Sequence, residues 1–174
     1  EREVVQWLAV AHGPLSVHDL LALGHLTTEE PVIRLCARGM CERRGDLVDF
    51  RYPIARDVAY YAIESDDRAA MHRALGEHLA TTPIASGLSA VIVARHLVRG
   101  RANSRAVDYY LEAARAARTG YQTQLATHYY DRALSLLHKD DPRRLEAHEA
   151  LESVYRVLGR HKDRRKHLVA LRAL

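Results

Sequence analysis

The first 52 residues carry helical periodicity interrupted by glycine. In REVVQWLAVA, SVHDLLAL and PVIRLC, apolar residues recur every three or four positions, and a glycine follows each segment. This spacing predicts three short helices, each with one buried face. Ser16 is the expected N-cap of the second helix, and Thr27 and Glu30 have capping-box spacing for the third. The residues expected on buried faces are Val4, Val5, Leu8 and Ala11 in the first helix, and Val32, Ile33, Leu35 and Cys36 in the third.

The period changes to two in the following segment, CERRGDLVDFRY. Val48, Phe50 and Tyr52 fall on one side of a strand with this alternation, and we expect them to pack inward. Gly45 and Asp46 are the expected turn of a two-residue hairpin. Three helices followed by a hairpin predict a winged-helix unit over residues 1–52.

The pattern becomes helical again at Pro53, which cannot extend a sheet but suits the first turn of a helix. Ile54, Val58 and Ala62 are expected to form the buried face of this helix. Residues 53–82 are interpreted as connecting helices, with a loop at 82–87. The strand-to-helix joint is predicted to consist of Phe50, Tyr52, Arg56 and Asp57, with the last two in a structural role.

Two segments that begin at residues 100 and 120, GRANSRAVDYYLEAA and GYQTQLATHYYDRAL, repeat one signature. An alanine, a tyrosine four residues on and an alanine three residues later lie on one helical face, where the small residues admit a neighbouring helix and the aromatic fills the gap. The signature is similar to the second helix of a tetratricopeptide repeat, and residues 151–159 to the end of the first helix. The phase of the repeat stays open. The identical pairs are Gly100/Gly120, Ala106/Ala126, Tyr109/Tyr129, Tyr110/Tyr130 and Ala113/Ala133.

Composition and charge limit the function classes. The chain has 174 residues, 48% hydrophobic and 28% charged, which indicates a folded globular protein. It contains neither an apolar run of about 20 residues nor a signal-peptide pattern, so we expect a cytoplasmic location and no membrane contact. Residues 1–63 carry seven Arg against nine Asp and Glu, a net charge of −2, which leaves 19 basic and 13 acidic residues, or +6, for 64–174. The basic segment 156–172 fits a solvated face, or a nucleic-acid or lipid patch.

No catalytic motif is recognisable. The sequence has no phosphate-binding loop and no metalloprotease motif, and its eleven histidines are expected on helix surfaces. Arg56 and Asp57 resemble part of a kinase catalytic loop, but Ala55 and Ala62 stand where that loop needs His and Asn. Cys36 and Cys41 are expected to be buried free thiols. We therefore predict no enzyme activity, no cofactor and no metal for these residues.

DNA binding must be weighed because the third helix of a winged helix commonly enters the major groove. Here that helix begins with Glu29 and Glu30, and the unit is net acidic, which opposes contact with phosphates. A structural winged helix is the favoured interpretation. The alternative is a fragment of a transcriptional regulator whose winged helix binds DNA.

The order of these features resembles the region after the nucleotide-binding module in bacterial signal-transduction ATPases with numerous domains, the STAND ATPases, including regulators similar to the maltose regulon activator. Details such as LCARGM and VARHL are most similar to members fused to serine/threonine protein kinases. Tyr52 and Pro53 depart from the family pattern, in which a histidine is common. The matching residues are Phe50, Arg51, Ile54, Arg56, Asp57, Val58, Ala59 and Tyr60, then Arg68, His72 and Leu75.

The resemblance implies a mainly α, non-catalytic part of a longer signalling protein: a winged helix at 1–52, then an α-α superhelical, tetratricopeptide-like array at 53–174. ATPase or kinase domains, with their ATP, would lie outside these residues. The array would present a surface to a protein partner or to other domains of the same polypeptide. The candidate partner-binding residues are Glu146, Glu149, Ser153 and Arg156, if residues 155–159 set the phase, together with Tyr109 and Tyr129, for which core packing is the other interpretation.

Overall fold

The computed structural model describes residues 1–81 and 87–173, which form ten helices and three short strands. The protein is therefore mainly α, as predicted. It divides into two compact units, Glu1–Leu79 and Ala80–Leu174.

The first unit contains a three-stranded antiparallel sheet among five helices. The strand order is β1-β3-β2, with Leu15 opposite Val48 and Cys41 opposite Phe50. The hairpin of β2 and β3 has the predicted two-residue turn, in which Gly45 adopts a φ of 64° that suits glycine. β1 was not predicted. The elements are α1 (Arg2–Ala11), β1 (Leu15–Ser16), α2 (Val17–Leu23), α3 (Glu30–Ala37), β2 (Cys41–Arg44), β3 (Leu47–Phe50), α4 (Pro53–Tyr61) and α5 (Ser65–Leu79).

Side-chain N-caps were predicted for α2 and α3, and the structure contains the first of the two. Ser16 is the N-cap of α2, and its Oγ accepts a 3.0 Å hydrogen bond from the backbone N–H of Asp19, as predicted. The predicted capping box of α3 is wrong. That helix begins at Glu30 after the N-cap Glu29 without a side-chain cap, and Thr27 lies before it.

The core of the first unit contains residues from both the beginning and the end of that unit's sequence. The predicted inward residues Val48 and Phe50 are buried, whereas Ile33 is 53% exposed, contrary to prediction. Helices α4 and α5 pack against α1, and α5 also packs against α2. The first unit therefore extends to residue 79, beyond the boundary predicted at 52. Buried apolar residues include Val4, Leu8, Leu20, Val32, Leu35, Ile63 and Leu75.

Helix α4 turns the opposite face to the core from the one predicted. Ile54 is 70% exposed, Val58 is 64% exposed and Ala62 is also exposed. Ala55 and Ala59 pack against the core instead. Both stripes have helical spacing, and the alanines allow α4 to lie close to α1. The expectation that Tyr52 packs inward is also wrong, because it is the exposed N-cap residue of α4.

The second unit is a run of five helices in which each packs against the next along the chain. The predicted loop lies outside the described residues except for Gly87, which begins α6. The core includes the buried residues Tyr110, Leu111, Tyr130 and Leu151. The helices are α6 (Gly87–Arg99), α7 (Asn103–Thr119), α8 (Thr123–Leu136), α9 (Arg143–Val157) and α10 (His161–Ala173).

Candidate functional site

The repeated signature occupies equivalent positions in two consecutive helices. Its three positions are buried in both α7 and α8, and Tyr130 is the largest fully buried side chain in the described parts of the chain. Each helix thus packs through small residues that flank a tyrosine, as the sequence predicted. The buried residues are Ala106, Tyr110 and Ala113 in α7, and Ala126, Tyr130 and Ala133 in α8.

The four predicted partner-binding residues of α9 recur every three or four positions along one face of that helix. Glu149 and Arg156 are exposed, and Ser153 is half-buried. Glu146 accepts two hydrogen bonds from Arg115 of α7, each 2.6 Å long, in a bidentate arrangement. These bonds raise the pKa of the Arg115 guanidinium. Glu146 therefore joins α9 to α7, while Glu149 and Arg156 face solvent.

A second ion-pair group joins the same two helices. Arg143, at the start of α9, donates to Asp108 of α7 at 2.7 Å and to both carboxylate oxygens of Asp141. The hydrogen bonds from Arg143 lower the pKa of Asp141 to about 2. Together with the Arg115–Glu146 pair, these contacts place the polar sides of α7 and α9 next to each other.

Tyr109 and Tyr129 are half-buried beside the fully buried tyrosines of the signature. Both pack against the cluster of Ala90, Val91 and Ala113 and also against the larger core of the second unit. Each residue therefore contributes to packing and still presents part of its ring to solvent.

The predicted joint has a buried strand end and a largely exposed helix start. Phe50 is buried, and Tyr52 is exposed. Nε of Arg56 lies 3.5 Å from Oδ1 of Asp57 and is itself buried. Farther along α4, Tyr61 extends the exposed stripe formed by Ile54 and Val58.

The arginines of α3 and the adjoining strand are neutralised by carboxylates. Each of these four arginines forms an ion pair within the first unit, with N···O distances of 2.7 to 2.9 Å. The pairs are Arg34–Glu30, Arg38–Glu1, Arg43–Glu29 and Arg44–Glu42.

Several histidines are buried, contrary to the expectation that they lie on helix surfaces. His72, His96 and His148 have at most 7% of their surface exposed. His72 forms a 3.0 Å hydrogen bond with the Tyr60 hydroxyl, and His148 one with His167. Each of these histidines stands at a position where the helical periodicity would also accommodate a buried aromatic or aliphatic residue. That periodicity is the signal in the sequence that could have indicated their burial.

Neither cysteine forms a disulfide. Cys41 is buried and Cys36 is half-buried, and burial raises the pKa of the Cys41 thiol to about 11. Cys41 is therefore held as a neutral thiol at neutral pH. Within the described residues, no group of three or more His, Cys, Asp and Glu side chains is placed to hold a metal ion.

No helix in residues 1–81 and 87–173 combines the length and the apolar character needed to cross a membrane. Comparison of the chain with protein-family models, with curated proteins and with solved structures finds no match. The resemblance to STAND ATPases stays a prediction.

Proposed function

We propose that these residues form a non-catalytic regulatory and protein-interaction module of a larger bacterial signal-transduction protein. Residues of the first unit would form a winged helix, and the second unit a tetratricopeptide-like array. An ATPase domain, and a serine/threonine kinase domain, would lie elsewhere in the polypeptide and bind ATP there. The module would act in the cytoplasm and contact a protein partner or another domain of the same chain.

The observation that carries this proposal is the equivalent burial of the repeated signature in α7 and α8. Helices that pack through the same residues in succession build an extended stack, and such stacks are widely used as binding surfaces. The side chains between α7 and α9 are held by bidentate and branched ion pairs, which pre-organise the polar surface between these two helices.

The exposed apolar stripe of α4 supports a protein partner as well. Ile54, Val58 and Tyr61 are all more than 60% exposed and follow each other along one helical face. A row of large apolar side chains in water is commonly an interaction surface. The stripe gives the first unit a surface of the type that binds protein.

The four ion pairs of the first unit favour a protein partner over DNA. Binding to DNA depends on cations that neutralise phosphates. Here each of the four arginines already has a carboxylate within 2.9 Å, which offsets the positive charge that this surface would offer to a phosphate.

Site-specific photocrosslinking tests the proposal. A photoreactive amino acid replaces Glu149 in the complete polypeptide, expressed in its own cells, and the matched control carries it at the exposed Lys139. We expect position 149 to yield a discrete adduct with one protein or with another domain, and position 139 to yield none. Reversing the nearby charge with Arg156→Glu should reduce the yield at least fivefold. Equal yields at the two positions would overturn the proposed surface.

A gel-shift titration of duplex DNA over a range of salt concentrations tests the DNA-binding alternative. We expect residues 1–79 to show no retarded complex at 0.15 M salt. Binding that weakens steeply as salt rises would identify phosphate contacts and contradict the proposal.

A further inference from the structure

Helix α10 is held on α9 by an unusually polar contact. No described residue of α10 is fully buried, although the helix packs along α9. At the centre of the contact, Nδ1 of His148 on α9 lies 3.0 Å from Nδ1 of His167 on α10. The Tyr155 ring stacks on the His167 ring at a centroid distance of 5.5 Å. The histidine pair therefore takes the place of an apolar seam.

The surroundings of His148 assign the protons in this pair. The guanidinium of Arg144, which donates to the carbonyl oxygens of Leu134 and Leu137, brings an N–H to 3.5 Å from His148 Nε2. We assign the unprotonated nitrogen of His148 to Nε2 on the basis of this contact, so that Nδ1–H of His148 donates to Nδ1 of His167. His167 accepts with that lone pair and carries its own proton on Nε2.

When both rings are neutral, each has one unprotonated nitrogen, Nε2 in His148 and Nδ1 in His167. Both of these nitrogens already face an N–H donor within the contact. A proton added to Nδ1 of His167 would place two N–H groups face to face at 3.0 Å and break the hydrogen bond. A proton added to Nε2 of His148 would place an imidazolium against the Arg144 guanidinium. Either protonation opposes the observed packing of α10 on α9.

We propose that His148 and His167 form a pH-sensitive latch, which holds α10 on α9 while both rings are neutral and releases α10 when either ring gains a proton. The latch goes beyond the proposed function and does not depend on it, since the contact geometry alone supports it. In a longer protein, the released helix would change the surface that the helical stack presents.

Some of the groups around the latch lower the pKa values of its two rings, and others raise them. Burial lowers the pKa of both imidazoles, and His167 and Arg144 lower that of His148 further. Asp131 and Asp163 raise the pKa of His167 against this effect, whereas Lys166 lowers it. The net shift is downward for both rings, so the neutral pair is favoured in the closed contact. The titratable and charged groups that act on the two rings or on the neighbours of those rings are His128 and Asp131 on α8, Arg144, Glu152 and Tyr155 on α9, and Arg160, Asp163, Arg164 and Lys166 at and within α10.

The sign of the pH dependence follows. A histidine whose pKa is lowered in the closed state stabilises that state above its ordinary pKa of about 6.5, and this contribution is lost as the pH falls through the lowered value. For each unit by which closure lowers the pKa of a ring, protonation of that ring reduces the equilibrium constant for closure tenfold. Asp131 has a pKa raised by burial, so its effect on closure has the opposite sign and becomes more favourable as the pH falls through that raised pKa.

Hydrogen exchange in the complete chain, with a metal chelator present, tests the latch. After correction for the intrinsic pH dependence of amide exchange, we expect the α10 amides to lose at least tenfold in protection between pH 7.5 and pH 5, and the α7 amides to change little. His148→Asn/His167→Asn keeps a donor and an acceptor at the δ positions but does not titrate, so it should retain α10 protection at both pH values. The control His138→Gln, at an exposed histidine, should behave as the wild type.

The titration of the wild-type rings gives a second, independent measurement. By NMR, the two rings should titrate below the ordinary histidine pKa of about 6.5, and α10 should open at the same midpoint. An unchanged α10 at pH 5, or opening whose midpoint departs from the ring titration, would overturn the latch. The same acid-induced opening in the double asparagine variant would overturn it too.

Discussion

At the scale of single residues, Tyr130 separates the packing role of a tyrosine from the role of its hydroxyl. The ring is fully buried, while the hydroxyl makes no hydrogen bond to a described residue, and burial raises its pKa. We expect Tyr130→Phe to leave the free energy of unfolding unchanged or raise it by about 1 kcal/mol, because an unbonded buried hydroxyl is unfavourable. Urea unfolding followed by circular dichroism measures the change.

Tyr130→Ala is the matched variant that removes the ring. It should lower the free energy of unfolding by about 3 to 5 kcal/mol, since a large aromatic leaves a cavity. Trp7 is the single tryptophan and a core residue of the first unit. Its fluorescence serves as the internal control, because it reports on the first unit and not on the unit that contains Tyr130. A loss of more than about 1 kcal/mol in Tyr130→Phe would mean that the hydroxyl has a stabilising partner.

Asp19 is a residue whose contribution should depend on pH. Burial alone would raise its pKa, but hydrogen bonds from Ser16 (2.6 Å) and with His78 (2.6 Å) lower it overall. The carboxylate therefore stabilises the fold above its ordinary pKa of about 3.9, and this contribution disappears as the pH falls through the lowered value. We expect Asp19→Asn to cost about 1 to 2 kcal/mol at pH 6 and less at pH 3.

Urea unfolding followed by Trp7 fluorescence at the two pH values checks this expectation. Asp46→Asn, in the exposed hairpin turn, is the control and should stay within about 0.5 kcal/mol of the wild type. An Asp19→Asn cost that is equal at pH 6 and pH 3 would show that charge does not contribute.

At the scale of elements, periodicity predicted where helices occur better than which face they bury. The signature of α7 and α8 was assigned to the correct face, because its alanines and tyrosine belong to the broad apolar stripe that each helix buries. Helix α4 has two such stripes, and the choice between Ile54 and Ala55 depends on how closely α1 approaches. That distance is set by tertiary packing, which a local pattern does not contain. The two-residue strand β1 is too short to show alternation at all.

The alanines of the signature should tolerate no larger side chain. Ala113 of α7 is fully buried against Ala90 and Val91 of α6, so Ala113→Leu should lower the free energy of unfolding by about 1 to 3 kcal/mol through overpacking. Ala116→Leu adds the same side chain three residues along the same helix, on its exposed side, and should change it by less than about 0.5 kcal/mol. Thermal unfolding followed by circular dichroism compares the two. Equal effects would contradict close packing of α6 on α7.

At the scale of the whole molecule, the sequence predicted the division into two parts but placed the boundary differently. The change from alternating to helical period at Pro53 suggested a new domain. The core of the first unit nevertheless includes Ile63 and Leu75, which lie beyond that change. The candidate residues of α9 could be predicted as one face from their spacing, whereas the Arg115–Glu146 link could not, because it joins positions 31 residues apart.

Two fragments distinguish these boundaries. Residues 1–79 contain a complete core, in which α4 and α5 pack against α1, so we expect this fragment to unfold cooperatively in urea when followed by Trp7 fluorescence. Residues 1–52 keep Trp7 but lose Ile63 and Leu75, each at most 5% exposed in the structure. Their removal uncovers one side of α1, so the shorter fragment should show no cooperative transition. If residues 1–52 unfolded at the same urea concentration as residues 1–79, α4 and α5 would be dispensable additions, and the boundary at residue 52 would be the physical one.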